Sequence, residues 1–454
     1  MKVLLLHSVD PSFEAYANIF NQLGHEAILL PVKTSFVDLS AAIDKFIPDF
    51  ILINNTDLFS PEWHPDALMF EPYFEKRGIP VAIWEYEAPY FAGGITLTSR
   101  WRDKNYLKNI FFFSLDTYWV EKYKEAGHRC HFLPFGVDER VENFSPPAHL
   151  LSQFNHDLTY IGTCFIDSKP VDIEPSEDGL LHFFLDNFRH TILNILHTSW
   201  GSHPDNIAAL QDLDDKFAPP IAQFLKMDLD DPYEYQRLFK MICDKLYDTY
   251  PQFFKISSTP KIIFEVKFLI YFSYYQVAAR LFRLIDKGLR IYGEGGWNSM
   301  FRNYSHPIRR LSYPEMYAAF RASKIIFCYT KKLFMNNVHE RVPHILGAGG
   351  FPLTDYRKDI DLMFEPGEVA TYKSFEEAKS LIDFYKTHDS ERLRIIEKGR
   401  KKVFAKHTYR KRVEEIISVI GKEFGISQAP HRSVIFTSNN EWMADVYHPP
   451  KVEF

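Results

Sequence analysis

Between positions 331 and 350 the chain gathers Lys331, Lys332, Asn337, His339, Glu340, Arg341 and His344, and it ends the stretch on Gly347, Gly349 and Gly350. Charged groups crowd the start of an expected helix, Val338–Leu346, whose far end is glycine-rich. A helix start supplies unpaired amides and a positive dipole end, so Arg341 and the two lysines there suit a diphosphate. Glu340 and His344 stand one turn apart, placed to exchange hydrogen bonds with ribose hydroxyls. The same residues also fit a solvated, capped helix. His339, Glu340 and His344 are given no third metal ligand by spacing, so no metal is expected.

Two glycine turns offer similar chemistry. Gly293-Glu294-Gly295-Gly296-Trp297 and Gly162-Thr163 each follow an apolar strand directly, where missing Cβ atoms let backbone amides approach a phosphate. Neither is a dinucleotide fingerprint, and no phosphate-loop lysine follows. Nearer the N-terminus, His7, Glu85, Glu87 and Asp116 lie at or just past strand ends. Of these Glu87 is the first choice of proton acceptor, because it precedes Pro89, with His7 or Asp116 as substitutes. Trp84 and Trp297 could pack on a ring-shaped ligand or in the core.

These residues need a frame. Val3–Leu6, Ala27–Leu30, Asp49–Asn54, Val81–Trp84 and Ile110–Ser114 are short apolar strands alternating with helical stretches such as Phe13–Leu23 and Leu39–Phe46. Strands buried on both faces and separated by helices imply a parallel, doubly wound sheet. A second series begins at Leu158–Thr163, breaks off, and resumes at Leu289–Gly293, Ile325–Tyr329, Phe351–Thr354 and Val369–Tyr372. The expected division is an N-terminal lobe over 1–150, a C-terminal lobe over 151–425 with a helical insertion at about 165–287, and an irregular tail over 426–454. In open parallel sheets ligands bind beyond the carboxyl ends of the strands, so a cleft between two such lobes is where the turns would act.

Composition narrows the class. In 454 residues, 46% are hydrophobic and 25% charged, a balance that suits globular domains. A formal charge of −6 argues against a general nucleic-acid binder. The four cysteines show no CxxC spacing, and no apolar run resembles a signal peptide or a membrane span, so a cytoplasmic protein is expected. The basic run Arg392–Arg412 reads as a solvated helix face or as peripheral contact with an anionic membrane.

The segment Arg341–Asp355 resembles the "RxFEALACGxxLLTD" stretch of CgeB-like (spore-maturation-protein) glycosyltransferases. His407-Thr408-Tyr409-Arg410-Lys411-Arg412 resembles that group's "HxYxxR", and Ile161-Gly162 and Tyr292-Gly293 with Trp297 resemble its strand ends. Trp84–Pro89 and Leu133–Asp138 are similar to its "WxxDxP" and "LPxGVD" elements. The resemblance implies an α/β chain of GT-B architecture, two Rossmann-like lobes with the nucleotide-sugar donor held by the second, no metal and no other cofactor. On that reading Gly162, Thr163, Gly293, Glu294, Gly295, Trp297, Lys331, Lys332, Asn337, Glu340, Arg341, His344, Gly349 and Gly350 serve the donor, and Glu87 or His7 serves as base. The sequence departs from the pattern at His344, where the family has Glu, and at Pro343. The implied activity is sugar transfer from a nucleotide-sugar to a protein, glycan or lipid-linked acceptor. An epimerase of the same fold and a non-catalytic nucleotide-sugar binder are the alternatives.

Overall fold

The computed structural model describes residues 1–7, 12–55, 57–59, 64–86, 109–164, 176–186, 221–227, 229–249, 258–301 and 304–429. Its first sheet has strands β1 (Lys2–His7), β2 (Glu26–Pro31), β3 (Phe50–Asn54), β4 (Val81–Glu85), β5 (Ile110–Ser114) and β6 (Cys130–Phe132). They lie in the order β2-β1-β3-β4-β5-β6, every pair parallel. The central strands β3, β4 and β5 are buried at every position. That is why they read as unbroken apolar runs rather than alternating ones. Helices Ser12–Gln22, Phe36–Phe46, Ala67–Arg77 and Thr117–Glu125 make the connections. Local signals set their ends: Ser35 accepts from the Asp38 amide, and Gly78 closes Ala67–Arg77 in the left-handed conformation.

The second sheet contains β7 (Leu158–Ile161), β8 (Leu289–Tyr292), β9 (Ile325–Cys328), β10 (Pro352–Asp355) and β11 (Ala370–Tyr372), in the parallel order β11-β10-β9-β7-β8. Helices Tyr313–Ala322, Arg341–Ala348, Phe375–Thr387 and Asp389–Lys406 flank it. Within the expected insertion the described helices include Pro232–Thr249 and Ser258–Arg283. The insertion is not an appendage. Phe272, Tyr275, Ala278 and Leu281 of the second helix share one core with Leu158, Leu289, Ile291 and Ile325 of the sheet. This helix therefore stands where a crossover between β7 and β8 must stand.

A second correction concerns the end of the chain. Tyr409–Phe424, assigned by sequence to the second lobe, puts Val413, Ile416, Ile417 and Ile420 into the core that holds Leu5, Phe50 and Trp84. The last described helix thus returns to the first lobe. The outgoing and returning segments run side by side, with the Val137 amide donating to the His407 carbonyl at 2.9 Å and the Tyr409 amide to the Val137 carbonyl at 2.9 Å. His407 also contacts the Met363 carbonyl and the Arg412 guanidinium, each at 2.8 Å. The HxYxxR stretch is therefore a crossing point, with its histidine and arginine engaged in holding it. Two doubly wound parallel lobes tied by such a return constitute the GT-B architecture expected from sequence.

Among the described residues no helix is long and apolar enough to cross a membrane. All four cysteines are free and buried.

Candidate functional site

Where β7 and β8 end, their chains continue as a tight ribbon. The Gly162 amide donates to the Tyr292 carbonyl at 2.9 Å and the Cys164 amide to the Glu294 carbonyl at 3.0 Å. A Cβ on Gly293 (φ +151°) would sit 1.8 Å from the Gly162 carbonyl oxygen, and one on Gly295 (φ +79°) 2.0 Å from that of Cys164. Glycine is required there by the neighbouring chain, in addition to any ligand. Trp297 is fully buried, with its indole N–H on the Gly162 carbonyl at 2.7 Å. It braces the ribbon from beneath and presents no face to a ligand, which corrects its expected place in the site.

The second component is the helix Arg341–Ala348. Its start comes three residues later than the periodicity suggested, so Arg341 is its first residue and Glu340 its cap position. Arg341 lines a cavity of about 150 Å³ together with Ile161, Gly162, Thr163, Gly293 and Glu294. Its side chain is 23% exposed and reaches His339 Nε2 at 3.3 Å and Glu340 at 3.6 Å. Burial, reinforced by Arg341, lowers His339 to about 4. Burial likewise lowers His344 to about 4. Loss of hydration pushes the Glu340 carboxyl up, but Arg341, His339, Lys331 and His344 together hold it below its ordinary value. At neutral pH the group is a cation and an anion beside two neutral imidazoles.

Two polar wall residues were not foreseen. Arg310 and Tyr313 line the same cavity. Ser312 and Glu315 form a capping box with Pro314 in the first turn, and this fixes Tyr313 as the first residue of its helix. The Ser-x-x-Glu spacing was the signal that could have located it. From this wall Tyr313 donates to the Tyr317 hydroxyl at 3.0 Å, and that hydroxyl meets His344 Nδ1 at 2.8 Å. His344 is therefore tied to the cavity through two tyrosines, without itself lining it.

Other expected donor residues are placed elsewhere. Lys332 is fully buried, donating to the Asp230 carbonyl among Arg280, Arg357 and Asp355. Burial and the two arginines push its ammonium well below its usual range, so it cannot meet a diphosphate in this conformation. Lys331 turns back onto Tyr274, with Nζ 2.8 Å from the hydroxyl and 4.6 Å from the ring centre. Asn337 is buried, and its backbone N–H faces Asp116. Gly349 (φ +82°) terminates the helix at the end opposite Arg341, and a Cβ on Gly350 would lie 2.0 Å from the Phe320 carbonyl oxygen. Both shape the helix end and lie outside the cavity lining.

In the first lobe His7 ends β1, with Nδ1 buried and unbonded among the described residues. Glu87 lies outside the described residues. Glu85 ends β4 and meets the Tyr123 hydroxyl at 3.4 Å. Asp116 is committed to the opposite lobe, accepting from the Met335 amide at 2.7 Å and the Asn336 amide at 3.1 Å. Trp84 is buried, its indole N–H on the Leu133 carbonyl at 3.0 Å. Along Arg392–Arg412, Arg400 donates to the carbonyls of Gly347 and Glu142, Lys402 faces Glu368, and Arg412 is buried. Arg394, Lys398, Lys401, Lys406 and Lys411 are exposed, so the run is in part a solvated helix face and in part internal bracing.

Residues 276–418, which contain β8 to β11, the Arg341 helix and the first part of the returning helix Tyr409–Phe424, match the model of the family described as glycosyl transferase-like. That stretch, most of it in the second lobe, is similar to this family. No curated protein sequence matches the chain significantly. Among solved structures, sucrose-phosphate synthase from Thermosynechococcus elongatus is similar at 9% identity and a TM-score of 0.48, over 94% of this chain and 100% of that one. HepE of Anabaena in complex with UDP and glucose is similar at 9% identity and a TM-score of 0.46, over 93% of this chain and 100% of that one. A glycosyltransferase from Rickettsia africae reaches 11% identity and a TM-score of 0.41, over 94% and 99%.

Proposed function

We propose that the protein transfers a sugar from a nucleotide-sugar, with the donor's diphosphate in the cavity at the ends of β7 and β8. The observation that carries this reading is the convergence of Gly162, Thr163, Gly293 and Glu294 with Arg341 on one cavity, inside or next to the segment that matches the glycosyl transferase-like model. A guanidinium at a helix start stabilises a leaving diphosphate, and the glycine ribbon, whose Gly162 and Gly293 amides are bonded within the protein, walls the cavity beside it. Within this function we place the chain near the CgeB-like group. Arg341, Asp355 and the His407–Arg412 crossing, which carry the resemblance, all take up defined structural positions. The proton acceptor would come from a first-lobe strand end, His7 after β1 or Glu87 after β4. Four free, buried cysteines support a reducing, cytoplasmic setting.

A thermal-shift panel of UDP-, GDP-, CMP- and dTDP-linked sugars tests the proposal. One nucleotide class should raise the unfolding midpoint, by about 2.7 kcal/mol of added stability at a hundredfold excess over Kd. No rise with any of them would remove the donor reading. A changed sugar still on its nucleotide would mark an epimerase instead.

A further inference from the structure

We infer that Asp116, in the first lobe, is a positioning residue for the donor loop of the second, so that the loop before Arg341 is held in place by the opposite lobe. The inference rests on the donor reading above for its functional consequence. Asp116 follows β5 and caps the helix Thr117–Glu125, with one carboxylate oxygen accepting from the Tyr118 amide at 2.9 Å. Its other oxygen accepts from the amides of Met335 and Asn336 at 2.7 and 3.1 Å. The adjacent Thr117 extends the lock. Its amide and hydroxyl donate to the two oxygens of Asp359 at 3.1 and 2.5 Å, and the hydroxyl accepts from the Asn336 amide group at 2.9 Å. The Asp359 amide donates to the Asn336 carbonyl at 3.0 Å. Tyr233, from the helix Pro232–Thr249, closes the third side by donating to Asn336 Oδ1 at 2.7 Å.

Asp116, Asn336 and Asp359 are 1%, 2% and 0% exposed. Neither carboxylate makes an ion pair among the described residues. A buried carboxylate without a cation is costly unless hydrogen-bond donors satisfy it, and here the donors are mainly the loop's own amides and the helix start. Removing those amides would leave Asp116 buried and unsatisfied, so loop and lobe are held together from both sides. From Asn336 the chain reaches Arg341 in five residues, so a shift of the loop is passed on to the helix start. A base and a donor clamp must be set within fractions of an ångström of each other, and this contact refers the clamp to the lobe expected to supply the base.

Two measurements on the full-length Asp116→Asn protein test this. The first is amide hydrogen exchange without ligand, and the second is calorimetric titration with UDP and with GDP. Exchange at Met335 and Asn336 should accelerate at least about tenfold while β5 and β9 keep their protection, and nucleoside diphosphate affinity should fall about tenfold. Unchanged exchange at Met335 and Asn336 would overturn the inference. So would unchanged affinity in Asp116→Asn where Arg341→Ala loses it, with the donor reading left standing. If neither variant, nor the native protein, shows a nucleotide effect, the donor reading fails and the exchange result alone decides whether Asp116 holds the loop. Should Asp116→Asn not fold, Thr117→Val, which removes the hydroxyl contacts to Asp359 and Asn336, should loosen the same amides to a lesser degree, and no loosening there would count against the lock.

Discussion

The carboxyl edges of the two sheets are built alike and equipped differently. At the second, β7 and β8 run into a glycine ribbon and an arginine at a helix start, open to a cavity of about 150 Å³. At the first, β5 runs into an aspartate whose oxygens are filled by backbone amides, three of them from 118, 335 and 336. One edge sets Arg341, flanked by His339 and Glu340, on the wall of an open cavity and is suited to receive an anion. The other brings negative charge and satisfies it within the protein, and so serves as a clasp. The same contrast recurs inside one short window. Arg341 faces the cavity, whereas Lys332 is sealed beneath the Asp230 carbonyl.

The ribbon is the most demanding part of the cavity. Gly293→Ala sets a Cβ 1.8 Å from the Gly162 carbonyl oxygen, whereas Gly288→Ala, at φ +76°, meets nothing within 4 Å. Urea unfolding should show the first costing roughly 3 kcal/mol or more and the second about 1 kcal/mol. Equal costs would mean that the two chains do not approach as described.

Next in size is the acid response of the clasp. Burial raises Asp359 to about 6, against the hydrogen bonds from Thr117, which lower it. A carboxyl raised in the folded state contributes stability that is complete below its unfolded pKa of 3.8 and is lost as pH rises through 6. His339 and His344, lowered to about 4, act in the opposite sense, since their contribution is present above 6.5 and lost as pH falls toward 4. From pH 7 to 5 each of these histidines should remove about 2 kcal/mol and Asp359 should return about 1–1.5 kcal/mol. Asp359→Asn should therefore lose stability more steeply on acidification than the native protein. Parallel pH profiles in chemical denaturation would contradict that assignment.

The smallest expected effect sharpens the comparison of the two cations. Lys332→Met fills a similar volume without the buried amine, and titration with a nucleoside diphosphate should find affinity within about twofold of native. A tenfold loss would return Lys332 to the donor site.

Much of this frame is legible in the chain. Ile110–Ser114 and Val81–Glu85 are recognisable as strands because burial on both faces leaves uninterrupted apolar residues, and Tyr409–Phe424 is recognisable as an amphipathic helix. Which sheet that helix covers is not legible, since Val413, Ile416 and Ile420 would suit either core. Lys331 and Lys332 look alike in sequence, and only packing around Tyr274 and Asp230 withdraws them from the cavity. Asp116 and Met335 are 219 residues apart, and a capping aspartate gives no sign of the second loop that it also holds.

The most direct test is calorimetric titration of native and Arg341→Ala protein with the nucleoside diphosphate that raises the unfolding midpoint. Loss of one charge-assisted contact should weaken binding roughly ten- to a hundredfold, with folding and the unfolding midpoint of the free protein preserved. Equal affinity in the two proteins would show that the diphosphate lies elsewhere, and would contradict the donor site described at the ends of β7 and β8.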